Sequence, residues 1–89
     1  MSSFRKHSGE KLVRPLDWTP RLKSGDAPTG TPTISVTPAG MTAVYDSTQG
    51  NLTWLKIESG TAGTIHTIAV TTTTAAGETL IAEIAVTVF

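Results

Sequence analysis

His7, His66 and a few scattered carboxylates are the side chains of this 89-residue chain that could do acid–base or metal chemistry. Neither histidine has a carboxylate or a second histidine at the spacing typical of metal ligands, and the chain contains no cysteine. Paired acid–base catalysis needs two carboxyl groups at a fixed separation, whereas Glu58, Glu78 and Glu83 lie apart on predicted outward faces or turns. We therefore expect no metal site, no cofactor and no enzymatic activity, with His66 in a structural or incidental role.

Two further motifs that could carry chemistry are incomplete. The serines lie at predicted turns and lack the pattern of a nucleophile elbow. Residues 60–63 contain two glycines but lack the following Lys-Ser/Thr of a phosphate-binding loop. A catalytic function would need residues from another chain, so the sequence favours a scaffold that binds.

The elements that would position these side chains are predicted to be β-strands. Residues 64–74 and 79–89 are rich in β-branched residues and indicate one long hairpin, with 75–78 as its turn. In the return strand, alternation places Ile84 and Val86 on the inward face and Ile81 and Glu83 on the outward face. The same alternation leaves four apolar side chains as candidates for exposed surface: Trp54, Ile65, Ile81 and Phe89.

Three shorter strands precede the hairpin, at residues 33–37, 41–45 and 52–58, with glycine- and proline-containing turns between them. Short strands at regular intervals are typical of a small β-sandwich. We therefore predict an all-β fold, a small immunoglobulin-like (Ig-like) β-sandwich that occupies residues 31–89.

Residues 1–30 show neither helical nor strand periodicity, and three prolines interrupt them. The segment is predicted to be an extended N-terminal docking arm, with a short helical turn around 18–22. Pro20 would lie in the first turn and Asp17 would cap it. No apolar stretch is long enough to span a bilayer, and no signal peptide is recognised.

The net charge of zero hides an asymmetry along the chain. Residues 1–23 carry six basic and two acidic side chains, whereas residues 24–89 carry one basic and five acidic ones. A basic arm could contact an identical subunit head to tail, dock on a different acidic partner or remain solvated. Nucleic acid is not expected, because the arm lacks a dense basic cluster.

Eight residues are predicted to bind a partner, most of them in the arm. Trp18 is the main candidate, either as an anchor in a partner's pocket or as part of a satellite cluster that packs on the domain itself. The full set is Phe4, Arg5, Lys6, Leu16, Trp18, Arg21, Leu22 and Trp54.

Several short motifs follow one another in an order typical of a known family. They are Asp17-Trp18 with Leu22 and Gly25-Asp26, residues 38–42, residues 55–64, and the Thr-rich strand followed by residues 75–78. Over most of residues 11–88 they resemble small Ig-like virion proteins of tailed bacteriophages, of the fibre–tail adaptor type. The resemblance implies an architectural role without catalytic residues. It also implies that His66 replaces an aromatic residue, usually Tyr, of a tyrosine corner, which leaves the corner hydrogen bond open.

The first functional hypothesis is therefore a non-enzymatic virion component that joins larger proteins at the neck, tail or fibre attachment. A capsid decoration protein is the alternative within this class. An Ig-like adhesin that binds glycan would need grouped aromatics, yet only Tyr45 and Trp54 are available in the domain. Expected partners are other virion proteins in a symmetric assembly of several copies, with no membrane. The expected location is a virion assembled in the host bacterial cytoplasm.

Overall fold

The computed structural model describes residues 2–89, which fold into seven β-strands in two facing sheets. A 3-10 turn at Thr19–Arg21 is the helical element of this part of the chain. The strands are β1 (Ser2–Lys6), β2 (Leu12–Asp17), β3 (Pro28–Thr37), β4 (Met41–Gln49), β5 (Leu52–Ser59), β6 (Ile65–Thr74) and β7 (Thr79–Val88).

The strands are divided between a four-stranded sheet, in the order β1-β7-β6-β3, and a three-stranded sheet, in the order β2-β5-β4. β1 runs parallel to β7, and the other neighbours are antiparallel. The predicted all-β sandwich is confirmed. The Ig-like assignment stays a prediction, which the order supports because β2-β5-β4 and β3-β6-β7 match the B-E-D and C-F-G neighbours of that fold.

The core lies between the two sheets and is built by strict alternation. In β6 and β7, Ile68, Val70 and Val86 point inward and are fully buried, and β5 contributes Leu55 and Ile57 from the opposite sheet. Alternate residues of a strand face opposite sides, so one face of each strand supplies the core. The inward face predicted for Ile84 and Val86 of β7 and the outward face predicted for Ile81 are confirmed.

The segment predicted to be an extended arm contains two strands, β1 and β2, that belong to the two sheets. β1 pairs with β7 at the edge of one sheet, and β2 pairs with β5 at the edge of the other. Both strands are short, and β2 contains Pro15, which is tolerated on an edge strand because no ladder bond is needed on its outer side. A docking role for this segment stays a prediction.

The helical turn predicted around residues 18–22 is present, with Pro20 in its first turn. Trp18 holds the capping position, where Asp17 was expected. Asp17 nevertheless supports the turn, since its Oδ1 accepts a hydrogen bond from the Thr19 backbone N–H at 2.9 Å. The turn therefore carries the chain from the end of β2 across the open end of the sandwich.

Asp26 fastens the loop before β3 to the turn between β6 and β7. Its Oδ1 accepts hydrogen bonds from the backbone N–H of Ala27 at 2.9 Å and of Ala76 at 3.0 Å. The Ala75 N–H also donates to the Ala27 carbonyl at 3.0 Å. One carboxylate thus holds together two loops that are distant in sequence.

Candidate partner-binding groove

An open groove runs between the two sheets where β1 and β2, the edge strands of opposite sheets, lie side by side. It consists of two cavities of about 400 and 330 Å³, whose walls share Leu16 and Asp17; we call them together the inter-sheet groove. The larger cavity is lined by Leu16, Asp17, Trp18, Pro20, Arg21, Ile81, Ala82 and Glu83. The smaller is lined by Ser3, Phe4, Arg14, Pro15, Leu16, Asp17 and Ile84.

Four of the eight predicted partner-binding residues therefore meet at this groove: Phe4, Leu16, Trp18 and Arg21. Phe4 is half-buried and Leu16 is buried, so both contribute apolar wall. The walls are of mixed character, since Asp17, Arg21 and Glu83 also line the larger cavity. A concave site of this size with both apolar and charged walls is a candidate binding site.

Trp18 is part of the chain's own core and has no exposed surface. Its indole Nε1–H donates to Thr53 Oγ1 at 2.9 Å, and its backbone N–H donates to the Asn51 carbonyl at 3.0 Å. These contacts correspond to the packing alternative of the sequence analysis. The side chain forms the floor of the inter-sheet groove and does not project toward a partner.

Arg21 lies exposed at the rim of the groove and bridges to the opposite wall. Its guanidinium donates a hydrogen bond to the backbone carbonyl of Ile81 in β7. The guanidinium carbon also lies 6.0 Å from the centroid of the Trp18 ring, at the outer limit of a cation–π contact. Arg21 therefore closes one end of the larger cavity.

Asp17 supplies the negative charge of the wall that the two cavities share. Hydrogen bonds from the side chain and the backbone N–H of Thr19 lower the pKa of this carboxyl group below its ordinary value. The Asp17 carboxylate is thus ionised at neutral pH. The groove consequently presents a fixed negative charge beside the positive charges of Arg14 and Arg21.

The remaining predicted arm residues lie outside the groove. Lys6 is fully buried, and its Nζ donates to the carbonyls of His7 at 2.9 Å and of Ser59 at 2.5 Å. Arg5 lies over the Phe89 ring at 4.8 Å, and Leu22 packs against the core. Lys6 was expected to be a partner-binding cation; in this structure it fastens the β5–β6 loop.

Trp54 lies on the outer face of the three-stranded sheet, away from the groove. It faces Pro15 on one side and Ser47 on the other, and the next row carries the exposed Val13 and Val44. The Nε1–H of Trp54 is enclosed and has no acceptor within residues 2–89. We call this surface, formed by Val13, Pro15, Val44 and Trp54, the Trp54 face.

His66 is a buried structural residue. Its Nε2 accepts a hydrogen bond from the Thr61 N–H at 3.3 Å, so its Nδ1 carries the proton and donates to the Pro38 carbonyl at 2.8 Å. The His66 imidazole thus makes a hydrogen bond to a backbone carbonyl. In a tyrosine corner, the phenol hydroxyl makes the bond to the backbone. Among residues 2–89 no group of three or more potential metal ligands is present, and no helix is long and apolar enough to cross a membrane.

Sequence reasoning missed the part of the groove wall that β7 supplies. Ile81 was expected to be exposed and is exposed, but nothing local indicated that Ile81 and Glu83 would face Asp17 across a cavity. The useful signal was the exposed apolar residue in an otherwise regular strand. Locating its neighbours requires the pairing of β2 with β5, which local sequence patterns do not reveal.

A comparison with known protein families identifies the family of the chain. The family described as Podophage GP4 fiber-tail adaptor protein gp77 matches residues 6–87, from the end of β1 to the end of β7. A search of the curated proteins finds no match to the chain. The matched region contains β2 to β7 almost entirely and every residue that lines the larger cavity of the inter-sheet groove, whereas Ser3 and Phe4 of the smaller cavity lie outside it. Because the match covers nearly all of the 89 residues, the chain belongs to the podophage GP4 fiber-tail adaptor family.

Proposed function

We propose that this chain is the connector through which a fibre is attached to the tail of a podophage particle. The observation that carries the proposal is the family match over residues 6–87. A fibre–tail adaptor is a structural, non-enzymatic component of the virion that binds other virion proteins. The matched family does not favour capsid decoration or glycan binding, the alternatives that the sequence left open.

An adaptor needs two separate contact surfaces, and the sandwich offers two that differ in chemistry. The inter-sheet groove is concave and carries charged residues of both signs. The Trp54 face is apolar except for Lys56, which lies between Val13 and Val44 and pairs with Glu58 at 3.6 Å. The two surfaces lie mostly on different sides of the three-stranded sheet, but Pro15, on its edge strand, belongs to both. Two partners bound at the same time would therefore come close to each other at Pro15.

The Trp54 face is proposed to contact one of these partners. Trp54 lies beside Pro15, and the next row carries Val13, Lys56 and Val44, so one cation interrupts an apolar patch. Protein interfaces commonly mix apolar and charged groups, and their binding energy is often concentrated in tryptophans. The predicted partner-binding role of Trp54 is therefore supported both by its residue type and by its half-exposed position on the outer face of the sheet.

A complementation experiment tests the proposed function. Particles assembled without this chain are expected to have filled heads and tails but no fibres, and the wild-type chain supplied in trans should restore the fibres. Electron microscopy and the count of copies per particle give the readout. About a dozen copies or fewer would fit a tail position, whereas hundreds, with fibres retained in the absence of the chain, would show capsid decoration.

A further inference from the structure

Half of β7 has no paired neighbour on its outer side among residues 2–89. β7 spans Thr79–Val88, whereas β1 pairs only with the stretch from Ile84 to Val88. Within the part of the chain that the structure describes, no strand pairs with residues 79–83 on that side. An uncovered stretch of strand offers backbone groups with which another chain can pair.

Backbone hydrogen bonds identify the groups that face this opening. The N–H of Phe89 donates to Lys6 on the β1 side, whereas the N–H of Val88 donates to Thr64 on the β6 side, at 2.9 and 3.0 Å. Alternation along a strand therefore directs the backbone groups of Ile81 and Glu83 toward the opening. The bond from Arg21 to the Ile81 carbonyl agrees, because it reaches β7 from the same side.

The other edges of the two sheets are less suited to accept a strand. Pro15 interrupts β2, and irregular register occurs in β4 between Tyr45 and Ser47. β3 is irregular between Thr29 and Thr33. Prolines and bulges are the usual protection against edge-to-edge pairing. The pairing of β6 with β7, by contrast, is regular from the Ile65–Thr87 pair to the Thr73–Thr79 pair, so the open part of β7 contains no bulge.

The larger cavity lies directly beside this open stretch. Ile81, Ala82 and Glu83 form one wall, and Leu16 and Trp18 form the other. An extended chain paired with β7 would direct alternate side chains into the cavity, where small apolar groups fit against Leu16 and Ala82. The intervening side chains would face solvent, next to Glu83.

We propose that residues 79–83 of β7 accept an extended segment of a partner polypeptide as an added strand, in line with β1. The segment carries small apolar side chains at alternate positions. In the free protein, the guanidinium of Arg21 donates a hydrogen bond to the carbonyl of Ile81. On binding, a backbone N–H of the partner replaces the guanidinium as the donor. This inference names the kind of partner that the adaptor captures and so rests on the proposed function.

Ile81→Pro tests the inference, with Ile81→Thr as the matched control. Proline removes the N–H that faces the opening but leaves the β6–β7 ladder intact, whereas threonine keeps that N–H and removes a similar amount of apolar surface. When Ile81→Pro is supplied in trans to particles that lack the chain, its incorporation should be about tenfold or more below that of the wild-type chain. A tenfold loss corresponds to about 1.4 kcal/mol of binding free energy. Ile81→Thr should stay within about threefold of wild type, on the same scale.

A second variant keeps the test decisive if proline unfolds the chain. Thr-Val-Thr-Val added before Met1 extends β1 along the opening, and Thr-Pro-Thr-Pro is its control. The first extension should slow hydrogen exchange at the Ile81 amide and block incorporation, and the second should do neither. Equal behaviour of the two extensions, or normal incorporation of folded Ile81→Pro, would overturn the inference. Failure of the wild-type chain to restore fibres would instead overturn the proposed function.

Discussion

The sequence context of Trp18 leaves its role open, whereas the structure places its side chain in the core. In the sequence it stands in a proline-broken segment outside any predicted strand. In the structure it is fully buried and bonded to Thr53, which lies on a strand of the same sheet as β2. Because Trp18 forms the floor of the inter-sheet groove, its effect on a partner proposed to bind there would come through the shape of the groove.

Trp18→Ala is expected to lower the free energy of unfolding by about 3–5 kcal/mol, the usual cost of deleting a buried aromatic side chain. Part of this cost arises because the Thr53 hydroxyl loses its partner in the core. Urea unfolding measures the change. Trp54→Ala is the matched control and should cost less, since Trp54 is only half-buried on an outer face. A small effect of Trp18→Ala would show that its side chain is not part of the core.

Asp26 links pH to stability through the contact between two loops. Partial burial raises the pKa of its carboxyl group, but hydrogen bonds from Thr74, Ala27 and Ala76 and the charge of Lys23 together lower that pKa below 3.8. A carboxyl group with a lower pKa in the folded state contributes stability above its unfolded value. That contribution is lost as the pH falls through the folded value.

Asp26→Asn should therefore lower the melting temperature at pH 7, and its difference from wild type should shrink as the pH falls from 5 toward 3. Thermal unfolding across this pH range provides the measurement. Asp46→Asn is the control, because that carboxylate lies exposed in β4 beside Ser47. A difference that stays constant with pH would contradict the assigned role of the Asp26 charge.

At the scale of the strand, the alternation in β6 separates a buried face from an exposed one. Ile68 has no exposed surface, whereas Ile65 on the opposite face is 59% exposed. Ile68→Asp would bury an unpaired charge in a protein whose stability is only about 5–10 kcal/mol. We expect Ile68→Asp to unfold the chain and Ile65→Asp to leave it folded, as measured by circular dichroism. If both variants were folded and gave cooperative unfolding transitions, the buried and exposed faces of β6 would be wrongly assigned.

The same elements show how far the sequence could go. Ile84 and Val86 could be assigned to the core because the alternation of β7 is local and regular. β1 and β2 could not be found, since their few residues gain their structure from pairing with β7 and β5 far along the chain. The inter-sheet groove was unpredictable for the same reason. Four of its residues are among the predicted partner-binding residues, and their binding role stays a prediction.

At the scale of the whole molecule, charge and shape separate the two proposed contact surfaces. The chain is elongated, about 40 × 18 × 18 Å, and the Trp54 face and the open part of β7 belong to different sheets. Basic side chains are concentrated in residues 1–23, around the groove and its neighbouring strands. Contacts through these exposed charges are screened by salt, whereas contacts through the Trp54 face are not.

Trp54→Ala should reduce incorporation into particles by about 10- to 100-fold or more, as expected for loss of a central interface tryptophan worth 2 kcal/mol or more. Particles purified after complementation and probed for the chain give the measurement. Ile65→Ala is the control, since Ile65 is an exposed apolar residue on the outer face of the other sheet. Normal incorporation of a folded Trp54→Ala chain would exclude the Trp54 face as a contact.

The parallel pairing of β1 with β7 has a mechanical consequence for a protein that tethers a fibre. Tension applied between Ser3 and Phe89 would pull these two strands past each other along their length, so that the five paired positions resist in shear. Tension applied between Ile65 and Thr87, which face each other in antiparallel strands, would open the pairs one after another. Because forced unfolding is governed by the unfolding barrier, the chain should withstand greater force along the first direction than along the second. Optical-trap pulling from the two pairs of sites would compare them, and a link loaded in shear suits an attachment point that must survive drag on the fibre.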